Sequence, residues 1–384
     1  MNLRSFCLAL LLCLMPLKVF AAPDSQLGQQ ILQEVQTCVL GKVKPSKTPP
    51  SRPQLLAASQ QCYFSVILFD KDGKQRTDAE QRTEALMAAT GVSLPKHSGR
   101  GQATVALKRV SPAEKTSQVL SVPVRIAGKT RRFLLDTGAS NTIIGSGIAK
   151  ELHLAGFDIP ASLFSEGVIG TQCSKSNLKV AAHMLPAVAV QNALVENLIG
   201  MSLPANRIPG GLSGVLGLDF LSSFDVVLDP QIPQLQLLPP SPSEATDIPL
   251  DGHSGVLTAP VVINGQNFVF ALDTGADVIV VSKQVAKKLA LRPTSQKTVS
   301  VLGFCGTEQV YPVALKEVTI GKNLRKNLDG LILTSSLLER LGIDGIIGQN
   351  FLTQFRQHWH FAPPTALGTV SQGSIELKPI ADPK

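Results

Sequence analysis

The strongest constraint on this chain is that it repeats itself. Residues 122 to 152, VPVRIAGKTRRFLLDTGASNTIIGSGIAKEL, align without a gap to residues 259 to 289, APVVINGQNFVFALDTGADVIVVSKQVAKKL, and 13 of the 31 positions are identical. Unrelated segments of ordinary composition would share about two. A second echo follows each copy, GVLGLDFL at 214 to 221 and GIIGQNFL at 345 to 352. The pattern is a tandem duplication, with repeats at 101–240 and 246–384 and Pro239-Pro240-Ser241-Pro242-Ser243 as the linker. Two copies of one fold are expected to pack about a pseudo-twofold axis, so whatever recurs in sequence should recur face to face in space.

Each repeat reads as mostly strand. Val122 to Ile126 alternates, Gly128 marks a turn, and Phe133 to Leu135 is a short apolar run. In the second copy Val261 to Ile263, the Asn264-Gly265 turn and Phe268 to Leu272 predict a hairpin. One short helix follows in each repeat, with Ser146 and Ser282 as expected N-caps. Phe224 to Leu238 predicts another hairpin about Asp229-Pro230. Residues 23–100 differ. Helical patterns at Gln26 to Val39 and Asp78 to Ala89 flank a Pro-rich stretch from Pro45 to Pro53, which predicts a separate, partly helical N-terminal extension serving as a propeptide or regulatory segment.

The start of the chain bears on its destination. Arg4 precedes an apolar run from Phe6 to Leu17, and Val19-Phe20-Ala21-Ala22 supplies small residues for cleavage, so residues 1–22 read as a secretory signal peptide. Twelve apolar residues broken by Pro16 are too few for a bilayer that needs about 20. The expectation is an exported protein, periplasmic or secreted, with no membrane span after signal removal. Export leaves Cys38, Cys62, Cys173 and Cys305, an even number suited to disulfides. Four cysteines allow three connectivities, and proximity favours Cys38 with Cys62. No Cys-x-x-Cys supports a zinc ribbon or redox motif.

Charge excludes one function class. Of a net +8, residues 23 to 115 contribute +5 (13 Lys and Arg against 8 Asp and Glu), while residues from 116 onward contribute +1 (21 against 20). Tyr63, Tyr311 and Trp359 are the only Tyr and Trp, so a basic stripe interleaved with aromatics is missing and no nucleic-acid partner is expected.

Chemistry is carried by Asp136-Thr137-Gly138-Ala139, which recurs as Asp273-Thr274-Gly275-Ala276, each copy directly after an apolar strand. An acid there sits at a turn on the edge of a core, Gly permits the turn, and Thr can hydrogen-bond main chain. One Asp-Thr-Gly means little; two at equivalent places in a duplication point to paired carboxylates. These residues resemble the retropepsin-like aspartic proteases, in which Asp-Thr-Gly-Ala-Ser/Asp occurs once per lobe, here at Asp136 to Ser140 and Asp273 to Asp277. The family's second element, two apolar residues and Gly beneath the catalytic loop, is matched by Val215-Leu216-Gly217 and Ile346-Ile347-Gly348. The resemblance covers residues 101 to 384 and implies a mainly β protein of two pseudo-twofold-related β-barrel lobes, the acid protease fold, fused in one chain and therefore expected to act as a monomer.

It further implies an aspartic endopeptidase acting on polypeptide without cofactor or metal. Asp136 and Asp273 would share one proton and hold a water. Two carboxylates at about 4 Å and an effective dielectric near 20 repel by about 4 kcal/mol, which separates their apparent pKa values by roughly three units, so one stays protonated while the other is ionised. Thr137 and Thr274 would brace the two loops, and Gly138 and Gly275 would contact substrate backbone. Ser140 and Asp277 complete the supporting set. Gly167 and Gly170 in the first repeat, and Gly303 and Gly306 in the second, mark candidate flaps. Cys173 and Cys305 lie beside them, so a disulfide between them would tether the flaps.

Other patterns carry less. His358-Trp359-His360 puts two histidines on one strand face, but no neighbouring carboxylate or cysteine completes a metal site, and a surface strand is expected. The serines lack a nucleophile elbow, and the glycines near 210 lack the Lys-Ser/Thr of a phosphate loop. The alternative to an enzyme is a catalytically silent peptide-binding module on the same fold.

Overall fold

The computed structural model describes residues 25–43, 50–71, 76, 78–92, 97–110, 119–159, 178–243, 247–253, 255–364 and 369–380. The proposed signal peptide, the flap glycines Gly167 and Gly170, and Cys173 lie outside them. The chain divides into two units, Met1–Pro95 and Lys96–Lys384.

The first unit is helical. Helices Ser25–Lys42, Arg52–Tyr63 and Ala79–Thr90 enclose Ile31, Val35, Val39, Ala58, Cys62, Ile67 and Leu86. The second of these helices begins at the end of the Pro-rich stretch. Pro53 falls at its second residue, where a missing N–H costs no helical hydrogen bond. Cys38 and Cys62 form the disulfide that proximity favoured, with Cα atoms 5.7 Å apart. Arg82 is buried against this core; its guanidinium donates to Glu34 at 2.6 Å and to the Val66 carbonyl at 3.1 Å.

The second unit holds both repeats as two curled, mostly antiparallel sheets of 11 and 13 strands. In each repeat a hairpin delivers the chain to the Asp-Thr-Gly loop: Leu120–Ile126 with Lys129–Leu135, and Val256–Ile263 with Gln266–Leu272. Both turns are two residues at positive φ, Ala127-Gly128 and Asn264-Gly265. The second strand of each hairpin then pairs in parallel with a later three-residue strand, Gly214–Leu216 or Gly345–Ile347, so that Leu216 lies opposite Leu135 and Ile347 opposite Leu272. The second sequence echo is thus the floor on which each Asp-Thr-Gly loop rests.

A short helix follows each loop, Ser146–Glu151 and Lys283–Lys288. Ser282 is the N-cap of the second, accepting from the Val285 N–H at 3.2 Å. Ser146 is not a cap. The first helix starts one residue earlier than expected, with Gly145 in the N-cap position that Ser282 occupies in the second repeat.

The repeats share one sheet. The hairpin Asp225–Asp229 with Gln234–Leu238, together with Ala103–Ala106, belongs to the first repeat by sequence, yet it joins the sheet of the second. The seam is the antiparallel pair Val226↔Trp359, Val227↔His358, Leu228↔Gln357. This corrects the surface-strand reading of His358-Trp359-His360. Phe355–Phe361 is an internal strand, Trp359 is fully buried in the apolar cluster that spans both repeats, and His360 is 7% exposed. A carboxylate does stand beside the histidines, because Asp225 arrives from the first repeat across that seam.

Candidate active site

Each Asp-Thr-Gly loop hangs between two hydrogen-bonded supports. The Asp136 N–H donates to the Leu216 carbonyl at 3.2 Å, and the Asp273 N–H to Ile347 at 3.0 Å. Beyond the glycine, Leu218 N–H donates to Ala139 and Gln349 N–H to Ala276, both at 2.8 Å. The loops are therefore fixed from below at both ends, in the same way in both repeats.

The threonines lock one loop to the other. Thr137 Oγ1 donates to the Leu272 carbonyl at 2.8 Å and accepts from the Thr274 N–H at 3.1 Å. Thr274 Oγ1 donates to the Leu135 carbonyl at 3.0 Å and accepts from the Thr137 N–H at 3.0 Å. Both side chains are buried, so these four bonds are made out of competition with water. The four bonds are reciprocal, two made by each threonine side chain.

This lock sets the carboxylates face to face. Each glycine N–H donates to the Oδ1 of its own aspartate, Gly138 to Asp136 at 2.8 Å and Gly275 to Asp273 at 2.7 Å. Each glycine also lies against the opposite carboxylate. A Cβ on Gly138 would fall 2.5 Å from the Asp273 carboxyl carbon, and one on Gly275 would fall 2.5 Å from that of Asp136. No residue larger than glycine fits either place. Burial pushes Asp136 well above the usual carboxylate range, and the facing Asp273 adds charge repulsion and a hydrogen bond in the same direction. Burial also raises Asp273, while its hydrogen bond with Asp136 works the other way. Such a pair gives up its protons in two separated steps that belong to both groups.

The residue two past each glycine reaches across the seam as well. Ser140 Oγ donates to the Gly255 carbonyl, and Asp277 Oδ1 accepts from the Val119 N–H at 3.3 Å. Gly255 and Val119 each lie one residue before the first strand of the hairpin that delivers the other repeat's loop.

Gly303 and Gly306 flank the tip of a hairpin, Val299–Gly303 with Gly306–Ile320, and Gly306 has φ +88°. Cys305 at the tip is fully buried among Val119, Leu134, Ile143, Leu203 and Val215 of the first repeat, with Phe304 packed beside it. Cys305 is disulfide-bonded, and Cys173, the partner expected from the sequence, lies outside the described residues. The hairpin of the second repeat thus spans to the first. A pocket of about 300 Å³ is lined by Asn206, Arg207 and Ile208 of the first repeat and Leu302, Gly303, Gly306 and Thr307 of the second.

Sequence reasoning missed Asp219. It is buried beneath the first loop, accepts from Thr142 Oγ1 at 2.7 Å and from the Phe220 N–H at 2.8 Å, and burial pushes its carboxyl up to about 6. The signal was in the echo itself, where GVLGLDFL has an acid and GIIGQNFL has an amide.

The family described as "gag-polyprotein putative aspartyl protease" matches residues 122–223 and 259–354, one segment per repeat and together more than half of the chain. The chain belongs to this family. Its two matched segments fold as two related β-rich lobes joined in one polypeptide. The chain is also similar to a Sinorhizobium sp. protein described as an uncharacterized protein in the cobV 5' region. The two are 24% identical over 225 residues, which make up 57% of this chain and 77% of that protein. Among solved structures it is similar to a retropepsin-like aspartic protease from Rickettsia conorii, at 22% identity, covering 34% of this chain and 89% of that one, with a TM-score of 0.25.

Proposed function

We propose that the protein is an exported aspartic endopeptidase, periplasmic or secreted, that hydrolyses polypeptide at the Asp136–Asp273 pair and acts as a monomer. The observation that carries this reading is the pair itself: two carboxylates from equivalent loops, each raised by burial, each packed on the other loop's glycine. A module that only binds peptide has no use for two acids held in mutual repulsion. In the reaction the ionised member takes a proton from a water, and the resulting hydroxide attacks the scissile carbonyl carbon. The protonated member donates a hydrogen bond to the carbonyl oxygen as negative charge builds there. As the tetrahedral intermediate collapses, the now doubly protonated pair gives one proton to the amide nitrogen and the C–N bond breaks, which leaves one shared proton on the pair. Activity requires the singly protonated pair, so it falls both when acid protonates the second carboxylate and when base removes the shared proton.

No helix among the described residues is long and apolar enough to cross a membrane. The export reading rests on the Arg4 to Ala22 pattern. The test of activity is cleavage of an unstructured protein across acidic to neutral pH, with and without a peptidomimetic aspartic-protease inhibitor. Inhibitable cleavage that vanishes in Asp136→Asn supports the reading. Tight peptide binding without turnover at any pH would favour the silent binding module.

A further inference from the structure

The seam between the repeats carries a second cluster of chemistry. We propose that Asp225, His358 and His360 form a binding site for a divalent transition cation of the zinc class, strapping the two lobes together at their shared sheet. One imidazole nitrogen from each histidine and one Asp225 oxygen all lie within 4.8 Å of one another. His360 Nδ1 is 3.1 Å from Asp225 Oδ2, and His358 Nε2 is 3.8 Å from the same oxygen. Bonds of about 2.0–2.1 Å in a tetrahedral arrangement put donor atoms about 3.4 Å apart, so small side-chain adjustments would complete the geometry.

Two features separate this cluster from an ordinary polar seam. His360 Nδ1 and His358 Nε2 are both buried, both face Asp225, and neither has a hydrogen-bond partner. Buried polar atoms are nearly always satisfied, and one cation accepting both lone pairs accounts for both orphans at once. The other nitrogen of His360 is in place for a supporting role. Its Nε2 lies 3.7 Å from Asp247 Oδ2, and Ser374 Oγ in turn donates to that oxygen at 3.4 Å. A carboxylate behind a ligating imidazole orients the ring and raises its basicity. Ser241 of the linker fixes that same Asp225 Oδ2, donating to it from its N–H at 3.0 Å and from its Oγ. Two imidazoles and one carboxylate make a borderline donor set that suits zinc better than calcium or magnesium.

The site breaks the molecule's own symmetry. At the other end of the same strand pair, Asp229 stands 3.9 Å from Arg356, an ion pair with no ligating nitrogen. The cluster is therefore not an automatic product of the duplication. The Asp136–Asp273 pair supplies none of its donors, so the proposal stands whether or not the protein cleaves peptides.

The test is zinc titration of the full chain, purified without a polyhistidine tag and stripped with a chelator, read by calorimetry. Cobalt(II) uptake, read by its visible d–d absorption, serves as a second readout. The expected result is one ion per chain, a zinc-dependent rise in melting temperature, and four-coordinate cobalt bands. His360→Gln and Asp225→Asn should weaken binding by at least about 100-fold, and Asp247→Asn by about 10-fold. His358→Gln, at the least buried of the three ligands, keeps the test sound if the deeper variants do not fold. Exposed His153→Gln is the control and should change nothing. The proposal is overturned if the wild type takes up no zinc, or if His358→Gln binds it as the wild type does. Loss of binding in Asp136→Asn with Asp273→Asn, rather than in the histidine variants, would overturn it too.

Discussion

The two Asp-Thr-Gly loops are held alike at the carboxylates and differently one layer below. Above, the interactions that hold the acids are paired between the repeats: the supporting bonds to Leu216 and Ile347, the threonine lock, and the glycine against the opposite acid. Below, the first repeat places Asp219, held by Thr142 and Phe220, with its second oxygen unpartnered. The second repeat places Asn350 there, whose Oδ1 accepts from the Ile279 N–H at 3.1 Å and whose Nδ2 donates to the Asp329 carbonyl at 2.7 Å. The difference teaches what the site requires. Groups that meet at the pseudo-twofold axis have no freedom to diverge separately, because each is the other's partner. Groups one layer away answer only to their own lobe.

The largest expected effect tests the symmetric layer. Asp136→Asn and Asp273→Asn should each lower turnover by at least about 1000-fold, as neither an amide nor a lone carboxylate can share and relay the proton. Circular dichroism should stay native-like. Near-normal turnover by either variant would break the equivalence of the two loops and remove the assignment.

The threonine lock comes next. Thr137→Val and Thr274→Val keep side-chain shape while each leaves a buried carbonyl and a buried N–H unpaired, at a cost of about 2–4 kcal/mol each. Denaturant unfolding should show nearly equal losses. The double variant should lose less than the sum, because the two side chains complete one network. Unequal losses would mean that one lobe carries the lock.

These effects follow from features that were legible in the sequence, and for a physical reason. The Asp-Thr-Gly loops, their floors and the two-residue turns are local patterns, and the duplication doubled each signal. What was not legible depends on partners distant in the chain. Asp225 joins His360 through strand pairing across the seam, which no spacing near either residue announces. The helix Arg52–Tyr63 was hidden because prolines look alike in a loop and in a first helical turn. Ser146 misled because a serine one residue inside a helix has the composition of a cap without its geometry; alignment to Ser282 would have exposed Gly145 as the true position.

The lower layer yields a pH-dependent difference. With its folded pKa raised from 3.8 to about 6, Asp219 is at home protonated. Its contribution is intact below about pH 4 and is lost as pH rises through 6, amounting to about 3 kcal/mol once ionisation is complete. Asp219→Asn should remove this dependence. Relative to the wild type, the variant should gain stability between pH 5 and 7.5, as measured by urea unfolding across that range. A wild type whose second unit shows no greater pH sensitivity than the variant would show that the orphaned oxygen is not held in a costly state.

The smallest effect sharpens the comparison at the turns that precede both loops. Ala127 and Asn264 occupy the same place, at φ +47° and +48°. A left-handed conformation costs an ordinary L-residue about 1–2 kcal/mol, and asparagine tolerates it better. Ala127 is exposed, so a longer polar side chain there displaces nothing. Ala127→Asn should therefore raise stability by about 0.5–1 kcal/mol, seen as a small upward shift in melting temperature. The reverse change is not its mirror image. Asn264 Oδ1 also accepts from the Glu317 N–H at 3.1 Å, pinning the turn to the long hairpin beside it. Asn264→Ala loses both the conformational preference and that bond, and should cost about 1–2 kcal/mol. Equal and opposite shifts would mean that the turn conformation alone separates the two repeats here. A larger loss at Asn264 would show that the second repeat has tied its turn into its own neighbouring strands.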